Sequence, residues 1–341
     1  MSKNSKVTMQ RIADLTGVSK ATVSNALNGR SDMLSQELLQ KILQTAAALG
    51  YRKRNHLIRF IIFESRDGLK THRIDDNKNF QEIYRAIKEE CSLRHYRVQI
   101  NHIRHQEKEQ GFQYIHDLAD CDGMIILGWE LSLADLEWLR CFTTLPFVIV
   151  DASFSSPEYD FVTGNNADAS YKLTEAIINA GHKRIGYIYG GGIDVYRERL
   201  NGYRNALYAH GLEYDRSIIC TVDRTAKSVF VDEIKEFLIR VNKRTGPAPT
   251  AFVISDDRIA VSFLAAAKAV NWSYAIAGFD NLPLCLEQMP PLASAEPNYR
   301  YNGTTAASRM IDKIERNDCH TQKIYTEITV YLRESIYPKH K

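Results

Sequence analysis

The 341-residue sequence predicts an α/β protein: a small three-helix head followed by a core of two doubly wound parallel-sheet lobes. Three observations carry this expectation. Residues 7–54 show helix punctuation at short intervals. Beyond Arg59, short apolar runs alternate with amphipathic stretches, the pattern of βαβ units. The charge is also divided unevenly between these two parts. At roughly 100–200 residues per domain the length suits two or three domains, and 44% hydrophobic with 25% charged residues is an ordinary globular composition. No apolar run approaches the ~18 residues of a membrane span. The N-terminal MSKNSKVTMQ lacks the apolar stretch of a signal peptide, so a cytoplasmic location away from membranes is expected. Cys91, Cys121, Cys141, Cys220, Cys285 and Cys319 are scattered without C-x-x-C spacing, which points to reduced thiols and no zinc site.

The net charge of +3 conceals an asymmetry. Residues 1–60 hold ten Lys/Arg against three acidic residues, a net of +7, and the remainder carries −4. A basic compact end on a mildly acidic body suggests a nucleic-acid-binding head.

Within the head, Ile12, Ala13, Leu15 and Thr16 predict a first helix that Gly17 ends, because a left-handed residue is cheap there. Ser19 is an N-cap for a second helix whose inward face is Thr22, Val23, Ala26 and Leu27. Ser35 caps a third, whose Leu38, Leu39, Ile42, Leu43, Ala46 and Leu49 cover the pair before Gly50. The first two form a helix-turn-helix, leaving the second available to a major groove. A helical bundle that binds protein, or nothing, is the alternative; the +7 charge and the short hydrogen-bonding side chains of helix two argue for DNA. Lys20, Ala21 and Asn25 are then expected at base edges: Lys donates to guanine, Asn pairs with adenine, Ala meets a thymine methyl. Thr8, Thr22, Ser24 and Asn28 suit phosphates.

The segment VTMQRIADLTGVSKATVSNALNG is similar to the DNA-binding head of the lactose-repressor/galactose-repressor family. The resemblance implies a transcription regulator, most often a repressor, with a head, a hinge and a ligand-sensing core built like a periplasmic sugar-binding protein. The expected boundaries are head 1–51, short basic hinge 52–59 and core 60–341. Members of the family usually follow Gly-Tyr with Pro-Asn and an Ala-Arg-x-Leu stretch, a helix that wedges a Leu into the minor groove. Here Gly50-Tyr51 is followed by RKRNHLIRF, without Pro and several residues shorter. Arg52, Lys53 and Arg54 suit phosphates or a narrow groove. Leu57 is the candidate wedge, or Leu57 and Ile58 simply begin the first strand.

In the core, FIIFE, YRVQINH, GMIILG, FVIVD, RIGYIYG, AFVIS and YAIAGFD read as strands. Phe80–Leu93, Leu133–Phe142, Ala169–Ala180, Arg199–His210, Val229–Val241 and Arg258–Ala269 read as helices. The resemblance extends through NNADASYKLTEAIINAGHKRIGYIYGG, RERLNGYRNAL, PTAFVISDDRIAVSFLAAAK, AGFDNLPLCLEQMPPLAS and TEITVYLRESI. It implies lobes of about 60–161 with 292–320 and of about 162–291 with 321–336, joined by three crossovers. SSPEYD (155–160) and the Pro290–Pro297 stretch are expected crossings.

Ligands in open α/β sheets bind at strand C-termini. Asp257 and Asp280 follow two strands, and carboxylates there can accept vicinal hydroxyls; the resemblance implies both contact an effector. It implies the same of Arg199, Phe80 and Asn165, and Trp129 could stack on a sugar ring. The alternatives are structural: Asp256 or Asp257 caps the following helix, Arg199 pairs with a surface acid, and Phe80 and Trp129 belong to the core. Gly190-Gly191-Gly192 lacks a nucleotide-loop pattern, and His102 with His105 lacks a third ligand. No nucleophile elbow appears. The expectation is a non-enzyme without cofactor or metal. As a homodimer it binds a pseudo-palindromic operator, under control of a sugar or sugar derivative in the interlobe cleft. A solute-binding module without DNA function, or a nucleobase sensor, is the alternative.

Overall fold

The computed structural model describes residues 8–27, 34–49, 51, 55–63, 77–103, 120–129, 131–153, 158–191, 194–222, 230–243 and 246–337. Asn28, Gly50, Arg52, Lys53, Arg54, His105, Gly192 and Val229 lie outside the described residues. Contacts divide the chain into two units, Met1–Asn55 and His56–Lys341.

The first unit holds α1 (Met9–Thr16), α2 (Lys20–Leu27) and α3 (Gln36–Ala48). Each helix start has a hydroxyl cap. Thr8 accepts from the Arg11 N–H at 3.2 Å, Ser19 from Thr22 at 3.0 Å, and Ser35 from Leu38 at 3.2 Å. Gly17 closes α1 at φ 74°, a conformation that a side chain would strain. Ile12, Ala13, Val23, Ala26, Ile42 and Ala46 form the core, flanked by half-buried Leu38, Leu39, Leu49 and Tyr51. Leu43, expected in that core, is 45% exposed. It follows Ile42 directly, and a rotation of about 100° per residue carries it off the buried stripe.

The second unit contains two six-stranded sheets. The first lobe has the order β11-β5-β4-β3-β1-β2, all parallel. Its strands are β1 (Leu57–Phe63), β2 (Arg97–Ile103), β3 (Gly123–Leu127), β4 (Phe147–Val150), β5 (Asp160–Gly164) and β11 (Lys323–Thr326). Helices α4 (Lys78–Leu93), α5 (Leu133–Phe142) and α10 (Tyr299–Arg316) pack on it. The second lobe has the order β12-β10-β9-β8-β6-β7, parallel except for β10 with β12. Its strands are β6 (Ile185–Gly190), β7 (Ile219–Val222), β8 (Ala251–Ile254), β9 (Ala275–Phe279), β10 (Ala293–Pro297) and β12 (Ile328–Tyr331). Its helices are α6 (Asn166–Asn179), α7 (Asp194–Ala209), α8 (Phe230–Asn242) and α9 (Asp257–Ala269).

The chain crosses between the sheets after β5, after β10 and after β11. These positions revise the expected lobe boundaries. Ala293–Pro297 belongs to the second lobe, where it pairs with Ala277–Phe279, and Lys323–Thr326 belongs to the first, paired with Phe161–Gly164. The crossings are tight: a Cβ on Gly164 would lie 2.7 Å from Ile328 Cδ1.

The head-to-core boundary also moves. β1 starts at Leu57, three residues before the expected core, and all seven of its residues are buried. Leu57 pairs with Arg97 in the sheet register, and its N–H donates to Asp122 Oδ2 at 3.2 Å. Arg59, assigned by sequence to the basic hinge, is 3% exposed. It donates to Asn101 Oδ1 at 2.9 Å and Asp120 Oδ1 at 2.7 Å, and so is a structural cation of the first lobe.

Candidate functional site

On the head, Lys20, Ala21 and Asn25 are exposed together on α2, opposite the buried Val23 and Ala26. Thr22 and Ser24 are half-buried beside them. The Thr22 hydroxyl lies 2.8 Å from Ser19 Oγ, and the Thr8 oxygen already caps α1, so both hydroxyls have local work as well.

In the core, parallel strands aim their C-terminal ends at the interlobe cleft, and four of those ends carry its polar groups. Trp129 follows β3, Asp151 follows β4, Asp256 follows β8 and Asp280 follows β9. Arg199 rises from α7 between them, only 4% exposed. Its Nε donates to Asn166 Oδ1 at 2.9 Å, and its Nη1 donates to the Ser255 carbonyl at 2.6 Å. Its Nη2 lies 3.5 Å from Asp280 Oδ1, and its plane sits 3.6 Å from the Phe279 ring centre. The first lobe contributes Trp129, whose indole N–H donates to Asp151 Oδ2 at 2.5 Å. It also contributes Tyr299, whose hydroxyl donates to Asp280 Oδ1 at 3.0 Å across the cleft. Ser153 donates to Glu198 between the same lobes.

Two of the carboxylates sit on strained backbone: φ is 61° at Asp151 and 99° at Asp280. Burial raises Asp280 to about 6, the Asp256 and Asp151 charges adding to the rise and Arg199 and Tyr299 opposing it. Burial also raises Asp151, against the Trp129 hydrogen bond and the Arg199 charge. Among the described residues Arg199 is thus the cation that lowers both Asp280 and Asp151, against the burial that raises them.

Three sequence-derived assignments change. Asp257 does not reach the cleft: it is 0% exposed, accepting from Ser294 Oγ at 2.8 Å and from the Leu282 N–H at 2.9 Å. Its neighbour Asp256 caps α9 through Oδ1 and takes the Tyr196 hydroxyl at 3.4 Å on Oδ2. Phe80 is 3% exposed and stacks on Phe60 and Tyr84, a core residue of the first lobe. Asn165 caps α6, its Oδ1 accepting from the Asp168 N–H at 3.2 Å, and it is the adjoining Asn166 that orients Arg199. Asp151, Tyr196 and Tyr299 were missed, and Asp256 was expected only as a helix cap, which it also is. For Asp151 the signal was present, since FVIVD ends an apolar strand on a carboxylate just as AIAGFD does.

A separate concavity of about 450 Å³ opens on the second lobe between α6 and β12, but its Lys172 and Glu175 are already engaged with Asp168 and His210. All six cysteines carry free thiols. No described helix is long and apolar enough to cross a membrane.

Comparison with known proteins matches residues 8–54 to the family described as bacterial regulatory proteins, lacI family, and residues 174–336 to a periplasmic binding protein-like domain. The chain is 28% identical over 338 residues to the ribose operon repressor of Haemophilus influenzae, covering 97% of this chain and 98% of that protein. Its fold is similar to that of the transcriptional regulator CelR in complex with cellobiose, with TM-score 0.71, 23% identity and coverage of 97% and 100% of the two chains. It is likewise similar to the lac repressor dimer bound to operator and the anti-inducer ONPF, with TM-score 0.68, 19% identity and coverage of 97% and 99%. The chain thus carries the DNA-binding head of the lacI family of bacterial regulatory proteins and a periplasmic binding protein-like domain, and it is similar along nearly its whole length to a repressor of that family.

Proposed function

We propose that this regulator is a repressor that acts as a homodimer on a pseudo-palindromic operator, and that a carbohydrate bound in the interlobe cleft sets its operator affinity. The observation that carries the effector half is the convergence of Arg199, Asp280, Asp256, Asp151 and Trp129 from four strand ends and one helix. Carboxylates accept from sugar hydroxyls, and an indole face packs on a sugar ring. The relatives named as a ribose operon repressor and as a cellobiose complex support the same class of ligand. Closure of the cleft on a ligand changes DNA affinity only if the ligand binds one lobe arrangement better than the other. The protein is read as a binding device without turnover, needing no cofactor or metal, and as cytoplasmic.

In the DNA half, Lys20, Ala21 and Asn25 read base edges. Thr8, Thr22 and Ser24, together with Asn28, Arg52, Lys53 and Arg54, hold phosphates. The test is to select duplexes from a randomised library with the full chain, then titrate the selected operator with sugars in a gel shift. A two-fold-related consensus whose binding responds to a sugar is the expected result. A selected site without two-fold symmetry removes the dimer, and stabilisation by purines in place of sugars moves the effector to nucleobases.

A further inference from the structure

Among the described residues the guanidinium that acts on the cleft carboxylates is that of Arg199, and it is not poised as an anion receptor. Arg199 donates within its own lobe through Nε and Nη1, stacks on Phe279, and points Nη2 toward Asp280. Among the described residues it is the cation that acts on both Asp280 and Asp151, one from each lobe. Asp256 adds a third carboxylate beside Asp280, and burial already raises two of the three. Acceptor capacity, by contrast, remains. Among the described residues no hydrogen bond reaches Asp280 Oδ2 or Asp151 Oδ1, while Oδ1 of the first takes Tyr299 and Oδ2 of the second takes Trp129. A site with open carboxylate oxygens and an engaged arginine favours donors, and penalises a second anion placed a few ångströms away.

Resting on the reading of this cleft as the effector site, we propose that the effector carries no negative charge: it is an uncharged or amino-substituted polyhydroxylated compound, and phosphorylated or carboxylated sugars are rejected. Its hydroxyl or ammonium donors meet Asp280 Oδ2 and Asp151 Oδ1. A phosphate or carboxylate on the same ring faces Asp151, Asp256 and Asp280, and among the described residues the guanidinium beside them, that of Arg199, is already engaged.

The experiment uses the full chain in a thermal-shift screen followed by calorimetry. The panel contains uncharged pentoses, hexoses and disaccharides, each beside its phosphate ester, its sugar acid and its amino sugar, together with purine bases. The tightest ligand is expected among the uncharged or amino members, with its phosphate or acid counterpart roughly a hundredfold weaker or worse. The double substitution Asp151→Asn, Asp256→Asn should narrow that gap by at least about tenfold, because it removes two of the repelling charges while keeping side-chain size. Asn also tolerates the positive φ at 151, so the fold is retained. An anionic sugar as the tightest ligand overturns the proposal and leaves the carbohydrate reading standing. A gap that the double variant leaves unchanged overturns the assignment of rejection to these carboxylates. A purine as the tightest ligand overturns the carbohydrate reading and, with it, the polyhydroxylated ligand proposed here. Absence of any stabilising sugar or purine overturns the carbohydrate reading and this proposal with it.

Discussion

Removing the Asp257 carboxylate should damage the effector cleft without touching DNA. The residue is fully buried, and its two oxygens receive the Ser294 hydroxyl at 2.8 Å and the Leu282 N–H at 2.9 Å. Ser294 Oγ in turn accepts the Asn281 N–H at 3.0 Å, and Arg333 donates to Asn281 Oδ1 at 2.7 Å. This network holds the segment in which Asp280 and Asn281 have φ of 99° and 46°. Each buried donor left unpaired costs about 1–3 kcal/mol. Some of that is recovered, because burial and then the Asp280 charge push Asp257 up to about 7, so its ionised form is poorly accommodated. Asp257→Ala is therefore expected to destabilise the core by about 2–4 kcal/mol, and Asp257→Asn, which retains one acceptor, by about 1–2 kcal/mol. Trp129, Trp138 and Trp272 are the only tryptophans and all lie beyond residue 56, so urea unfolding followed by tryptophan fluorescence reports the core alone. Gly278→Ala should reproduce the defect, since its Cβ would sit 2.2 Å from Asp257 Oδ1. Effector affinity should fall in all three variants while operator affinity without effector holds. A change in core stability below about 0.5 kcal/mol for Asp257→Ala would refute the brace, as that is the scatter of ordinary surface substitutions.

Other outcomes follow from the same geometry. Asn25→Ala and Lys20→Ala should each weaken the selected operator by about 1–3 kcal/mol in a gel shift and leave random duplex nearly unaffected; equal losses would make them phosphate contacts. Arg59→Met should lower core stability by about 1–3 kcal/mol, through its bonds to Asp120 and Asn101, without changing the salt slope of DNA binding. Effector affinity should rise as pH climbs through about 6, where Asp280 ionises among Arg199, Asp256, Asp151 and Tyr299. The same group lowers the stability of the empty core between its ordinary ~3.9 and that value, because the folded state then binds the extra proton. Calorimetry across pH 5–7 checks the first part, and Asp280→Asn should flatten it. Leu57 and Ile58 are buried in β1, and the sequence between Tyr51 and Leu57 holds no apolar side chain. Circularly permuted operator fragments should therefore show less than the about 20–90° kink that an inserted wedge produces.

The head was legible almost residue by residue, because caps, a left-handed glycine and a period of about 3.6 are local signals. Gly17, Ser19 and Ser35 lie where those signals put them, and Lys20, Ala21 and Asn25 share the exposed face. In the core, the seven strands with long apolar runs were visible. β5, β7, β10, β11 and β12 were not, because polar residues interrupt their short apolar runs, as in ASAEP and KIYT. The 18-residue α10 escaped as well, since the face it buries includes Asn302, Gly303, Ala306, Ala307 and Arg309, which give little hydrophobic periodicity.

What the chain determined by itself was therefore everything set by near neighbours along it: the helix-turn-helix, the basic end, the alternation that demands two α/β lobes, and carboxylates at strand ends. Tertiary structure alone decided which of two adjacent aspartates meets the cleft. Asp256 and Asp257 are indistinguishable as a pair of letters, and α9 begins between β8 and β9 with nothing local to say which carboxylate is met by a buried partner. Only when β10 brings Ser294 beside β9 does Asp257 gain a buried partner, leaving Asp256 as the cap with an oxygen to the cleft. The same holds for Arg59, a hinge charge by position and a lobe residue once β2 supplies Asn101. A side chain's role depends on which partners satisfy it, and those partners come from elements that are distant in sequence.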